Sequence, residues 1–376
     1  MKNSYKNVVN FIIALLVISF NIFLIIYPQN AISAAREGFS LFTTNVLPAL
    51  FPFIIGTSIL MSLGVVSFVG VLLGPIMQKL FNVPGVGGFA LVVGLSSGYP
   101  MGAKVISELR QKNELTAYQS QRLISFCNNS GPLFIIGAVG IGFYQNVYIG
   151  YFIMLIHYTS AIITGILFRV YKKDEKYTKV TPSFKKAYSA MLKTRENKTP
   201  ATILCDSIVA GVHTILYIGG FIIIFCVIAE VIKTLFFGNL LDNIWLVGNI
   251  IGLIEITNGI NILSNNNNLL HIIATAALIS FGGFSIHAQV LNFISKTDIN
   301  IKIYFLSKII HSAITIVLGF LFAPILMLHN TTESVLAANI YISQVNISIS
   351  LLIFCIGICI LLFLSIIVEL LKNQSI

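Results

Sequence analysis

Apolar residues run along this chain in long, nearly unbroken stretches, without the alternation of a half-buried strand or the striped face of a surface helix. A helix needs about 20 apolar residues to cross the hydrocarbon of a bilayer. Eight stretches reach that length: 8–27, 49–69, 117–142, 147–170, 212–236, 268–294, 303–328 and 347–371. Two further segments, 86–111 and 240–263, are apolar but interrupted. In the first, Gly98-Tyr99-Pro100-Met101-Gly102 separates two limbs of about 10–12 residues, each about half a hydrocarbon thickness long. The stretch 31–46 reads as an amphipathic helix in the outer interface, and 201–211 as its counterpart on the inner side.

Charge decides how the interrupted segments sit. Only 10% of the 376 residues are charged and 56% are hydrophobic, with a mean hydropathy of +0.91; a soluble surface cannot be built from that composition. The net charge of +10 therefore reports membrane sidedness rather than a nucleic-acid partner. If 86–111 spans the membrane, the basic loop 172–200, with nine Lys/Arg against three Asp/Glu, is forced outside. If 86–111 and 240–263 are both re-entrant hairpins, all of the 23 Lys and Arg except Arg36 and Lys233 collect inside, as the positive-inside rule requires. The hairpin reading is adopted, with both termini cytoplasmic. The first span is read as a retained helix, with a cleaved signal ending near Ala31-Ile32-Ser33-Ala34 as the alternative. Loop 172–200 is the one sizeable soluble segment and reads as a solvated linker, with lipid or protein docking as its alternative.

The chain also repeats itself. Leu123-Ile124-Ser125-Phe126 returns as Leu278-Ile279-Ser280-Phe281, and Gly94-Leu95 with the Gly98–Gly102 break faces Gly252-Leu253 with Glu255-Ile256-Thr257-Asn258-Gly259. Both matches lie about 155 residues apart, which argues for duplication. With the first hairpin inside and the second outside, the two repeats are inverted, and broken helices in inverted repeats are the architecture of secondary transporters. The expected fold is an all-α polytopic membrane protein of about eight transmembrane helices and two re-entrant hairpins. Residues 1–30 form the N-terminal helix, 31–171 the first repeat, 172–200 the linker, 201–328 the second repeat, and 329–376 an external loop and final span.

Four breaks supply the candidate site. Ser97, Gly98 and Tyr99 belong to the first hairpin tip; Asn128, Asn129, Ser130 and Gly131 interrupt 117–142. Ser280, Gly282, Gly283 and Ser285, with His287 and Gln289 one turn on, interrupt 268–294. Asn and Ser cap helices and Pro132 suits a first turn, so the first break is read as a helix restart whose N–H groups favour an anion. The bland alternative is a set of capped Gly/Pro kinks. Lys104 sits near the hairpin tip, where it meets substrate or snorkels to the inner surface. Glu255, with Thr257 beside it, is read as a coupling or gating acid that carries a proton, binds Na⁺ or pairs with Lys104; the alternative is a carboxylate reaching the outer interface. His157, His213, His271, His311 and His329 are read as structural, Glu230 and Lys233 as a helix pair, and the five cysteines as buried thiols. There is no HExxH, P-loop or paired-acid signature, so neither an enzyme nor a cofactor is expected; a homo-oligomer is left open. The residues alone indicate a small, anionic substrate.

Three segments carry a resemblance: Phe81–Phe89, Gly94–Lys104, and Arg122–Gly140. They resemble the YlbJ (SpoVV) family of sporulation integral membrane proteins, within the nucleoside-recognition gate group related to concentrative nucleoside transporters. The resemblance runs over about residues 8–371 and is looser in the second repeat. It implies transport of dipicolinic acid, a flat aromatic dicarboxylate, across the outer forespore membrane, with Tyr99, Phe281 and Phe284 available to its ring. Carriage of a nucleoside or other metabolite, or a scaffold acting through 172–200, are the competing readings.

Overall fold

Apolar stretches of this length fold as helices because the hydrocarbon leaves backbone polar groups no partner but the chain itself. A computed structural model describes residues 2–172, 183–236, 243–324 and 326, and these contain helices and no strand. The first half holds α1 (Lys2–Ile26), α2 (Pro28–Leu41), α3 (Leu47–Ser62), α4 (Val65–Ile76), α5 (Gly87–Ser96), α6 (Met101–Gln111), α7 (Ala117–Ile124) and α8 (Val147–Phe168). The second holds α9 (Phe184–Thr194), α10 (Pro200–Phe236), α11 (Ile244–Ile254), α12 (Ile256–Leu263), α13 (Leu269–Phe281), α14 (Gly283–Ile294) and α15 (Ile301–Leu321). Among the described residues four segments are long and apolar enough to cross a membrane, Val147–Phe168, Pro200–Phe236, Leu269–Ile294 and Ile301–Leu321, or up to six if two bent pairs each count as one span. The expected loop 329–346 and span 347–371 lie outside the described residues, as do His329, Cys355, Cys359 and most of the linker's first half.

Several expected boundaries move. The 49–69 stretch is not one straight helix: the chain bends by 85° between α3 and α4. Gly64, in the left-handed region at φ +78°, makes that bend, and a Cβ there would lie 2.4 Å from the Met191 carbonyl oxygen of α9. Residues 201–211 are not a separate interfacial helix but the start of the 37-residue α10, since Pro200 opens a helix and no breaker follows. The 31–46 stretch turns 104° away from α1 and buries Ala31, Ala34 and Gly38. Gly38 packs there against Ile223 and Cys226 of α10. The 117–142 segment stops at Ile124, runs without helix and resumes as a π-helix over Leu133–Phe143.

Two cations counted above as markers of the inner face are buried. Arg122 is fully enclosed and donates to the carbonyls of Asn82, Tyr171 and Lys172, closing the chain ends beside α7. Lys308, 2% exposed, donates to the Asn128 carbonyl. Neither obeys a charge-at-the-rim rule because backbone oxygens replace the water each would otherwise need. The core is built by α8, α13 and α15 packed on one another, while Phe11, Leu16 and Ile25 of α1 and Leu216 and Tyr217 of α10 point outward.

The first hairpin is tied to the second half at its base. Arg110 forks onto Asp298 with two bonds of 2.8 Å, Ser107 Oγ donates to the Phe293 carbonyl at 2.9 Å, and Gln121 Oε1 accepts from Asn300 N at 2.7 Å. The hydrogen-bonded guanidinium holds the Asp298 carboxyl below the usual carboxylate range, so this pair persists at neutral pH and is lost only on acidification.

Candidate functional site

Both interrupted segments fold back on themselves, and glycines set how closely. A Cβ on Gly94 of α5 would lie 1.8 Å from the Cys127 carbonyl oxygen, and one on Gly102 of α6 would lie 1.9 Å from the same atom. The two limbs therefore clasp the unwound segment after α7 backbone to backbone. At the tip Gly98, φ +85°, places its Cβ position 2.7 Å from Gly131 N, a conformation and an approach that only glycine allows. The second hairpin repeats the device. Gly259 of α12 abuts Gly252 of α11, a built Cβ lying 2.1 Å from the Gly252 Cα, and Gly283 of α14 packs on Ile256.

Side chains then lock the breaks. Asn129 Nδ2 donates to the Phe126 carbonyl at 2.6 Å, and Tyr158 of α8 donates from one hydroxyl towards Leu95 O and Ser130 O at 2.7 and 3.1 Å. Asn and Ser do not cap the restarting helix as expected: Pro132 precedes it with no side-chain cap. His157 of α8 joins the two breaks, its Nε2 accepting from Ser130 N at 3.2 Å and its Nδ1 lying 2.8 Å from Ser280 Oγ. In the second hairpin only Glu255 leaves the helix. Its carboxylate caps α12, accepting from Asn258 N at 2.9 Å and from Thr257 Oγ1 at 3.2 Å.

A cavity of about 570 Å³ opens where these elements meet. Of the expected site residues, Ser97, Gly98, Tyr99, Ser130, Gly131, Glu255, Thr257, Ser285 and Gln289 line it. Tyr99 and Ser130 interact through their hydroxyls, and the buried Ser285 Oγ has no hydrogen-bond partner among the described residues. Phe53, Phe134 and Phe143 supply aromatic wall, and among the described residues Glu255 is the one charged side chain of the lining. Leu133 and Phe134 at the start of the π-helix also line the cavity, where the first N–H groups of a helix lack intrahelical partners, although Ile135 N already donates to the Gly131 carbonyl. Such a cavity can bind a small polar molecule with an aromatic face by hydroxyl and amide hydrogen bonds.

The other expected residues stand behind the wall. Lys104 Nζ donates to Thr214 Oγ1 of α10 at 3.0 Å and lies 4.0 Å from Glu108, so its partner is Glu108 and not Glu255. Asn128 donates to the Tyr304 hydroxyl, and His287 Nδ1 lies 3.0 Å from that hydroxyl. Ser280 faces His157, and Gly282 with Gly283 form the left-handed turn between α13 and α14. Phe281 stacks edge-on against His287, and neither it nor the half-exposed Phe284 reaches the cavity. Glu230 and Lys233 pair at 3.6 Å.

A polar layer beneath the cavity was not foreseen. His157 stacks on His311 at 4.9 Å, and Thr315 Oγ1 lies 2.7 Å from both Ser160 Oγ and Ser280 Oγ. The signal was present in the spacing: Tyr304, Lys308, His311 and Thr315 recur along one face of α15, and His157, Ser160 and Thr164 along one face of α8.

Comparison with known proteins bears on this arrangement. Residues 43–167, which contain the first hairpin and the first break, match the Gate family, described as nucleoside recognition. The sporulation integral membrane protein YlbJ of Bacillus subtilis strain 168 is 37% identical over 324 residues, covering 79% of each chain. The chain belongs to the YlbJ family. It is thus an integral membrane protein of the sporulation type carrying a nucleoside-recognition gate domain. No solved structure matches it. Within the YlbJ family frame, the gate match ends inside α8, at the helix whose His157 reaches across to Ser280.

Proposed function

We propose that the protein is a secondary transporter that moves dipicolinic acid across the outer forespore membrane during sporulation by alternating access. The observation that carries this is the cavity at the meeting of two hairpins and two broken helices, lined by Tyr99, Ser130, Ser285, Gln289 and Glu255. On this reading the segments 86–111 and 240–263 are re-entrant, about eight helices span the bilayer, and the two repeats have inverted topology. A 570 Å³ cavity is of the size that encloses small ligands. Its phenyl walls fit a flat ring, and its hydroxyls and the free N–H groups of the π-helix fit carboxylate oxygens.

The charge of the wall constrains the mechanism. Among the described residues no Lys, Arg or His lines the cavity, and Glu255 does. A doubly negative substrate beside an ionised carboxylate in a low-dielectric site is strongly disfavoured, so Glu255 enters the loaded state protonated and serves as the coupling acid, held in place by Asn258 N and Thr257. Lys104, outside the lining, ties α6 to α10 through its bond to Thr214 on this reading.

The same lining favours a second reading. A cavity without a cation, with hydroxyls, an amide and a single carboxylate, suits a neutral nucleoside, and the gate match points the same way. Competition in proteoliposomes separates the two. Unlabelled dipicolinate is expected to suppress uptake of labelled dipicolinate at concentrations where uridine and inosine leave it unchanged. Suppression by the nucleosides alone assigns the cavity to them. A scaffold acting through 172–200 predicts instead that a neutral linker there abolishes sporulation function while uptake is absent throughout.

A further inference from the structure

A helix broken in mid-protein has two ends of opposite character. At the first break Leu133 and Phe134 of the restarting helix line the cavity, whereas the unwound 127–129 stretch beyond α7 does not. Free carbonyls attract a cation, and in broken-helix transporters unwound backbone carbonyls are where coupling cations sit. Here the end is already taken. Lys308 Nζ, reaching from α15, donates to the Asn128 carbonyl, and in the same unwound stretch Asn128 Oδ1 and Asn129 Oδ1 are buried without hydrogen-bond partners among the described residues. Among the described residues Lys308 makes no ion pair, and it is 2% exposed. The groups around it are oxygens, the Tyr304 hydroxyl that binds Asn128, the Cys127 thiol, and the imidazoles of His157, His287 and His311. An ammonium buried without a carboxylate is costly unless backbone dipoles take the place of a counter-ion, and this break supplies them.

We propose that Lys308 is a tethered cation occupying the carbonyl end of the first break, so that this site needs no inorganic ion and the protein is not driven by sodium. The inference rests on the transporter reading for its meaning in transport, but the occupancy of the site does not depend on which substrate is carried. A purely packing role for Lys308 would leave the ion response of the protein unchanged when the side chain is altered, and that difference is measurable without substrate.

The test is the thermal midpoint of the purified full chain in detergent, in sodium, potassium and choline chloride at equal ionic strength. Ligand linkage raises the midpoint in proportion to specific binding. The wild-type protein is expected to show the same midpoint in all three salts. Lys308→Met and Lys308→Gln vacate the carbonyl end and are expected to gain a sodium-specific rise of about 2 °C or more over choline, while Lys308→Arg, which keeps the charge, remains unresponsive. A sodium-specific rise in the wild type overturns the proposal, whether or not the variants fold. So does a folded Lys308→Met or Lys308→Gln that responds to no cation. Uptake in proteoliposomes gives the second arm: sodium dependence of wild-type transport contradicts the proposal, and uptake equal in sodium and choline supports it.

Discussion

Gly102→Ala is expected to abolish dipicolinate uptake and to destabilise the protein by about 3 kcal/mol, at the upper end of the usual cost of overpacking. The added methyl would sit 1.9 Å from the Cys127 carbonyl oxygen and 2.8 Å from its carbon. Backbone cannot rotate away as a side chain can, so α6 or the Cys127–Gly131 segment must move by more than an ångström. That segment carries Ser130 and Gly131 into the cavity and seats Gly98 against Gly131, so the shift disassembles the site as it relieves the clash. Gly137→Ala serves as the control: a Cβ there meets only a Leu133 methyl, at 3.6 Å, and its thermal midpoint in detergent should stay within about 2 °C of wild type. A Gly102→Ala protein with wild-type uptake and midpoint would mean that the hairpin does not grip the break.

Glu255→Gln is expected to lower proton-gradient-driven accumulation more than tenfold while dipicolinate counterflow survives. Glutamine keeps the shape: its Oε1 can still accept from Asn258 N, as Glu255 does at 2.9 Å, and its Nε2 can donate to Thr257 Oγ1, which now donates to Glu255 at 3.2 Å, so the helix cap weakens by only about 1 kcal/mol. What it removes is a proton that leaves and returns. Exchange of substrate for substrate needs no such proton, whereas net movement against a gradient does. Equal loss of counterflow and driven uptake would assign Glu255 to binding or folding, and unaltered driven uptake would remove it from coupling.

Much of this fold was legible because membrane helices are written in long apolar runs and broken by Gly, Pro and Asn. The breaks at Gly98, Asn128–Gly131 and Gly282–Gly283 were visible for that reason, as was the placement of Ser97, Tyr99, Ser130, Ser285 and Glu255 at one cavity. What failed to show depends on contacts between segments distant in sequence. Gly64 inside an apolar run reads like any helical glycine until Met191 approaches it. Lys308, six residues after Lys302, reads as a second rim cation because depth is set by packing on α7 and α8, not by spacing from the end of α15. The aromatic wall was misassigned to Phe281 and Phe284 because proximity in sequence to a break says nothing of which face of the helix meets the cavity; Phe53, Phe134 and Phe143 fill that role. Arg122 was hidden for the converse reason: three backbone carbonyls from Asn82, Tyr171 and Lys172 converge on it only in the folded chain.

The central claim is that dipicolinate passes through the cavity between the hairpins. Initial uptake of labelled dipicolinate into proteoliposomes tests it when wild type is set against Gly137→Phe, whose ring would fill the cavity from a position with room for a side chain. The account predicts wild-type uptake well above protein-free vesicles and a fall to that background in Gly137→Phe at equal reconstitution. Wild-type uptake no faster than protein-free vesicles, under proton or sodium gradients, or a plugged variant as fast as wild type, would contradict it.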